Sequence, residues 1–395
     1  MKNKAFFLIT LAALSAFGPF VTDMYLPALP ILPEAFSTTA FWVQMSMSVC
    51  MFGLAFGQIF IGPLSDKFGR RVPLLASMWL FVAASAGCVF ASDIYFFVAM
   101  RFLQGVAGAG GIVLSRSISS DNYSGMELAR FLALLAAVHS IAPVAAPVVG
   151  GATLTIFSWR TIFAILLALG VALLWASSCV GESLAPERRS KLRATELFGL
   201  YKNVFADKVA LSYILQQGAM SGILFAYISA SPFLFQNVYG LSPMAFSAVF
   251  ALNAVGIGVG SALSAKVGQR RTAVVAGGTG ILCAAVAEGA LVFSGAGVVF
   301  VETMLWIMMF MFGLAAPSAA AIVLDSQREN AGTAAALLGA LPFLLGGLAA
   351  PCVGLGGIDV SFPAIIIFCG IFAAALSLIA RNYQIKFGPN TRAQD

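Results

Sequence analysis

Gly62-Pro63-Leu64-Ser65-Asp66-Lys67-Phe68-Gly69-Arg70-Arg71 is a short polar island between two apolar stretches, 41–61 and 72–91. Each stretch is about the 20 residues that an α-helix needs to cross ~30 Å of hydrocarbon. Ten residues cannot build a domain, so the two stretches read as consecutive membrane spans. The same ruler, moved outward, finds further spans at 5–31, 94–116, 128–152 and 159–180. After a polar stretch it finds 209–231, 244–265, 272–294, 298–322, 332–354 and 361–381. Composition agrees. Of 395 residues, 60% are hydrophobic and 10% charged, against about 25% charged in a soluble domain. A soluble fold has no place for that much apolar surface, and lipid does.

The basic residues give the orientation. Of 22 Lys and Arg, all but Arg101 and Arg160 fall on one set of alternating loops, the set that includes both termini and the stretch Glu187–Arg193. Short loops rich in Lys and Arg stay in the cytoplasm. Both termini are therefore expected inside. The formal net charge of +6 is explained by this bias, and no nucleic-acid partner is expected.

The first span begins with Lys2 and Lys4 like a signal peptide but runs past Asp23 to Ile31, too long for a cleaved apolar region. A retained helix is expected. Cys50, Cys88, Cys179, Cys283, Cys352 and Cys369 lie in or beside apolar spans without close spacing. They read as small packing residues, with no metal site expected. Gly105–Gly111 is glycine-rich but lies inside a span, so it cannot be a dinucleotide loop after a strand. One His and no nucleotide-binding loop leave no catalytic cluster. The chain reads as a non-enzyme without cofactor, driven by an ion gradient.

The island at 62–71 recurs as Ser261-Ala-Leu-Ser-Ala-Lys-Val-Gly-Gln-Arg270, with Leu, Ser, Lys, Gly and Arg in register. Pro27 in Tyr25-Leu-Pro-Ala answers Pro232 in Ala230-Ser-Pro-Phe, and Met100-Arg-Phe-Leu-Gln-Gly answers Met308-Met-Phe-Met-Phe-Gly. This predicts an all-α membrane protein of twelve transmembrane helices in two pseudo-symmetric six-helix bundles. The bundles are placed at 1–181 and 209–395, the second with a short cytoplasmic tail, and 182–208 is the cytoplasmic linker. Internal repeats of this kind mark secondary transporters.

Gly62, Asp66, Gly69, Arg70 and Arg71 resemble the loop motif between the second and third helices of the major facilitator superfamily. Arg101, Gln104 and Gly105 resemble its fourth-helix motif. Ala146-Pro147-Val-Val-Gly150-Gly151 is similar to the fifth-helix antiporter motif, with Ala146 where Gly is usual. Thr22-Asp23-Met-Tyr-Leu-Pro-Ala-Leu-Pro30, Ser158-Trp159-Arg160 and Ala230–Phe233 resemble the Bcr/CflA branch of drug–proton antiporters. The resemblance implies the major facilitator fold, a bacterial inner-membrane location and a monomer that moves small molecules against protons.

Charges within hydrocarbon cost roughly 2.5 kcal/mol or more and need a reason. Asp23 is the first candidate and Arg101 the second. By helical rise they sit roughly 12 and 10 Å below the outer surface. We expect them close together, as the proton-coupling pair. The resemblance implies the same roles, with Asp23 also meeting substrate. A structural ion pair, or an Asp bonded to backbone beside Pro27, is the plainer alternative. The repeat sets Ile228 opposite Asp23 and Met309 opposite Arg101, so the second half lacks both charges. Substrate contacts are then expected from Tyr25, Gln104, Phe225, Tyr227, Phe233, Asn253 and Met309. Aromatic and Met side chains in helices more often simply pack.

The polar island is expected to act as a cytoplasmic latch. Gly62 and Gly69 would allow tight turns, and Arg70 and Arg71 would pair with acids or helix ends. The resemblance implies that Asp66 engages the other half when the cytoplasmic side is closed. Asp121, expected in the loop after the fourth span, would join this latch network together with Arg116. Ala265 stands where Asp66 does, which predicts a latch in the first half only. Pro147, Gly150 and Gly151, with Pro143, would let the fifth helix bend and repack. His139 reads as a hydrogen-bonded packing residue. Glu288 and Glu302 lie near the outer ends of their spans and are expected to reach the interface.

These readings predict a proton-coupled exporter of small hydrophobic or cationic compounds, a multidrug efflux antiporter working by alternating access. The alternative is a proton-coupled carrier of a nucleoside, sugar or amino-acid derivative, working as an exporter or an importer.

Overall fold

The computed structural model describes residues 4–189, 201–202, 204–327 and 331–387. Much of the expected linker, with Lys191 and Arg193, lies outside the described residues, as do Lys2, Arg328 and Arg392. The spanning helices are α1 (Lys4–Asp23), α2 (Ala40–Phe68), α3 (Arg71–Phe90), α4 (Ile94–Asn122), α5 (Gly125–Leu154) and α6 (Trp159–Ser178). The second half supplies α7 (Lys208–Phe233), α8 (Pro243–Ser264), α9 (Arg270–Phe293), α10 (Val298–Ser326), α11 (Ala331–Cys352) and α12 (Ile358–Phe387). Among the described residues, twelve helical segments are long and apolar enough to cross a membrane. Trp79, Trp175, Phe300 and Phe368 are each more than 60% exposed, as lipid-facing side chains should be.

The chain forms two compact units. One is Met1–Lys191 with Leu241–Ala251, and the other is Leu192–Gly240 with Leu252–Asp395. The start of α8 thus packs with the first unit. Within the first, α1 packs on α4 and α5, α2 on α4, and α3 on α4 and α6. In the second, α9 packs on α10 and α12 as α3 does on α4 and α6, while α7 packs on α11 and α12 and to a lesser extent on α10. Glycines set the closest approaches. A methyl group on Gly53 would overlap the Phe102 carbonyl, and one on Gly105 the Cys50 carbonyl. Gly260 and Gly313 stand in the same reciprocal relation to Phe310 and Ile257. Small residues let backbones meet where lipid supplies no hydrophobic drive between helices.

Two expectations about local structure are corrected. The first span is not one helix to Ile31. Helix α1 ends at Asp23, a turn follows, and Leu26–Ile31 form a 3-10 segment. Pro27 cannot donate to the Asp23 carbonyl, nor Pro30 to that of Leu26, so the α ladder stops there. The polar island is not a loop either. Helix α2 runs through Gly62 to Phe68, and the turn is only Gly69, at φ 91°, and Arg70. Gly62 is an ordinary helical position.

Candidate functional site

Asp23 is the last residue of α1 and is 6% exposed. Its neighbour Met24 is held by α5: a methyl on Gly150 would overlap the Met24 carbonyl and would meet Pro27 Cδ at 3.6 Å. The fifth-helix glycine therefore admits the broken end of α1. Gly151 leaves room for Ser247, whose hydroxyl reaches the Pro147 carbonyl at 2.7 Å. Helix α5 itself continues through Pro143 and Pro147.

Arg101 is fully buried on α4. Its Nη1 donates to Gln104 Oε1 at 2.7 Å, and its guanidinium lies 4.3 Å from the Tyr25 ring centroid and 5.7 Å from that of Phe163. Among the described residues, Nε and Nη2 have no hydrogen-bond partner. Gln104 Nε2 donates to Ser85 Oγ (2.8 Å), and the Cys88 thiol contacts Gln104 Oε1 at 3.6 Å. The Tyr25 hydroxyl meets Ser46 Oγ at 3.3 Å. An aromatic cluster of Phe36, Phe97, Trp159 and Phe163 backs the Tyr25 ring. Cation–π contact of this kind, out of water, is worth about 2 kcal/mol.

The expected Asp23–Arg101 pair is thus a looser relation. The two are within electrostatic reach, yet no ion pair within 4.0 Å joins them. Arg101 is engaged by an aromatic face and an amide instead. Tyr25 and Gln104, expected to touch substrate, spend their polar atoms or ring face on Arg101 and its supports. Ser46, Ser85, Cys88 and Phe163 were not foreseen in the sequence. Ser85 and Cys88 are three apart on α3, a same-face spacing, but nothing in the sequence says that the face meets Gln104.

In the second unit, Phe225 stacks against Phe343 at 5.5 Å, and Tyr227, Phe233 and Met309 are buried. Asn253 Nδ2 donates to Glu302 Oε1 at 2.8 Å. Glu302 is half-buried with one oxygen on Asn253, and Glu288, expected to reach the interface, is completely buried because packing turns it toward the helices of its own unit. His139 Nδ1 lies 2.9 Å from the Ser15 carbonyl. A carbonyl only accepts, so Nδ1 carries the hydrogen, and the residue ties α5 to α1.

The cluster at the turn between α2 and α3 is built on Arg70. Its Nε donates to Asp121 Oδ2 (2.9 Å), and its Nη1 to Ser65 Oγ (2.7 Å) and Asp66 Oδ1 (2.5 Å). Asp121 is in the last turn of α4, not in a loop, and it meets the cluster as expected, through Arg70 and Ser183, without contacting Arg116. Arg71 Nη2 donates to the Ser178 carbonyl at the end of α6. The organiser that sequence reading missed is Glu182. It accepts the backbone N–H of Arg70 (2.8 Å), Arg71 (3.3 Å) and Leu184 (3.0 Å). A carboxylate at the start of α3 satisfies free N–H groups and the positive helix end. The second unit is not bare, as Ala265 suggested: Arg270 Nη1 donates to Asp325 Oδ2 at 2.5 Å. The acid there comes from α10.

Partial burial would push the Glu182 carboxyl up. The backbone N–H groups of Leu184, Arg70 and Arg71, with the Arg189 charge, outweigh it and hold the group below its ordinary value. Its stabilisation is therefore present above the unfolded value and is lost as pH falls through the lower, folded one. Glu182→Gln is expected to remove about 1 kcal/mol of capping, so amides at the start of α3 should exchange about 5-fold faster. Hydrogen exchange at neutral pH checks this. Unchanged exchange would show that Glu182 does not hold the end of α3.

Residues 8–351 match the family model of the Major Facilitator Superfamily. The chain is 35% identical over 361 residues to an uncharacterized MFS-type transporter, YdgK, of Bacillus subtilis, covering 90% of each protein. It is 28% identical over 330 residues to the multidrug transporter MdfA of Yersinia pestis, covering 82% of this chain and 80% of that one. Its fold resembles the crystal structure of a bacterial homolog of the human lysosomal transporter Spinster. There the TM-score is 0.73 at 17% identity, covering 97% of this chain and 98% of the other. With twelve apolar helices, a buried acid at the break in the first and an Arg-centred cluster after the second, the chain belongs to the major facilitator superfamily, whose members are membrane transporters and not enzymes.

Proposed function

We propose that the protein is a proton-coupled antiporter that exports small hydrophobic or cationic compounds from a bacterial cell by alternating access. It works as a monomer in the inner membrane, with both termini in the cytoplasm, and draws on the proton gradient without a cofactor. The observation that carries this reading is Asp23: a buried carboxyl at a broken helix end, with no ion-pair partner within 4.0 Å among the described residues and a buried cation in electrostatic reach. A carboxyl in that setting is sensitive to small changes of hydration and of distance to Arg101. It takes a proton when its surroundings open to the outside. It yields the proton when substrate or cytoplasmic water reaches it, and the freed carboxylate favours a cationic substrate. The Bcr/CflA-like motif around Asp23 and the relative named a multidrug transporter support drugs as the substrate class. Asp66, Arg70 and Asp121 act as the cytoplasmic latch.

The test is proton flux in inverted membrane vesicles challenged with a compound panel. Adding a transported compound to energised vesicles should release protons from the lumen. Uptake into right-side-out vesicles driven by an inward proton gradient would instead make the protein an importer and overturn this reading.

A further inference from the structure

On α9 the buried positions Val274, Gly278, Ile281, Ala285 and Glu288 recur at intervals of three and four, so they form one helical stripe. Four are apolar or glycine, and the fifth is a carboxylic acid. Glu288 has no exposed surface, and among the described residues neither of its oxygens has a hydrogen-bond partner. The next residue, Gly289, sits against Pro363 and Ile367 of α12, both 3.2 Å from where its Cβ would be. Glu288 is five residues from the end of α9, or about 7.5 Å by helical rise. It thus points into the packed interior of the second unit, near one membrane face.

The surrounding titratable groups offer no counter-charge. Tyr239 is within electrostatic reach, but its hydroxyl donates to the Ala296 carbonyl at 3.1 Å. On α10, Glu302 takes its hydrogen bond from Asn253, and Asp325 pairs with Arg270 at the far end of α9. Arg271 and Cys283 on α9, and Asp359, Cys369 and Arg381 on α12, make no hydrogen bond or ion pair with Glu288. An ionised carboxylate so placed costs several kcal/mol, whereas a protonated one costs far less. A structural acid would have a partner, and among the described residues this one has none.

We propose that Glu288 is a second proton-binding site, in the half of the protein that lacks counterparts of Asp23 and Arg101. It carries a bound proton while the second unit is packed as observed. It releases the proton when α9 and α12 separate enough to admit water. The transport consequence rests on the proton-coupled reading above; the binding of the proton does not.

Two measurements test it, on the full chain, with Glu288→Gln as the near-isosteric variant and Glu288→Met as an apolar filler should Gln destabilise the fold. The first is the infrared carbonyl band of protonated carboxyl groups at neutral pH. Part of that band should be present in the native protein and absent from both variants. A band identical in all three overturns the proposal. The second is the substrate gradient sustained by one pH unit in proteoliposomes. Loss of one coupled proton should lower it about tenfold, since one pH unit per proton is 1.36 kcal/mol. An unchanged gradient overturns the transport role. If the native protein sustains no proton-driven gradient at all, the antiport reading fails, and the infrared result still decides whether Glu288 holds a proton.

Discussion

Asp23→Asn is expected to abolish proton-driven accumulation of substrate while leaving the protein folded and able to exchange substrate passively. Asn has the size and much of the hydrogen-bonding capacity of Asp, but it cannot take up and release a proton. One coupled proton sustains about a tenfold substrate gradient per pH unit. Across about two units the proton through Asp23 alone should make the native gradient at least ~100-fold larger than the variant's, which should stay near unity. Counterflow of labelled substrate, which needs no proton, should persist. Thermal stability should hold or rise, because the change removes a buried acid with no ion-pair partner. Proton-driven accumulation that survives in Asp23→Asn would remove Asp23 from the coupling mechanism. The same assay separates this site from Glu288, whose loss should reduce the gradient without eliminating it.

Gly150→Ala should be the most damaging small substitution in the first unit. The added methyl overlaps the Met24 carbonyl, a backbone atom one residue from Asp23. Backbone cannot swing aside like a side chain, so either α5 moves or the turn after Asp23 is redrawn. Overpacking of this kind costs about 1–3 kcal/mol. The expected result is a thermal midpoint lower by several degrees and transport reduced at least tenfold. Gly62→Ala is the control. A methyl there meets Val113 Cγ1 at 3.7 Å, an ordinary contact, and helix propensity favours Ala over Gly. Native-like stability of Gly62→Ala beside a damaged Gly150→Ala would show that the two motif glycines have different purposes. Equal tolerance of both would mean that α5 does not press on the end of α1.

The sequence alone determined the number of spans, their orientation signal, the six-plus-six repeat and the identity of the buried charges. These are legible because they depend on composition along the chain: about 20 apolar residues per crossing, Lys and Arg in alternate loops, and the cost of any charge between them. The break at Asp23 was open to reading as well, since Pro27 and Pro30 remove the donors that the helix needs. The tertiary structure decided what each charge meets. Helical rise placed Asp23 and Arg101 at one depth, but depth says nothing of rotation about the helix axis. Packing laid Arg101 on Tyr25 and Gln104 instead of on Asp23. It brought Glu182 to the start of α3 from more than a hundred residues away. It turned Glu288 inward. A helix that is apolar all round carries little amphipathic contrast, so its sequence does not say which face is inside. Glycine notches such as Gly289 against Pro363 and Ile367 fix that rotation, and with it which acids lie in the interior.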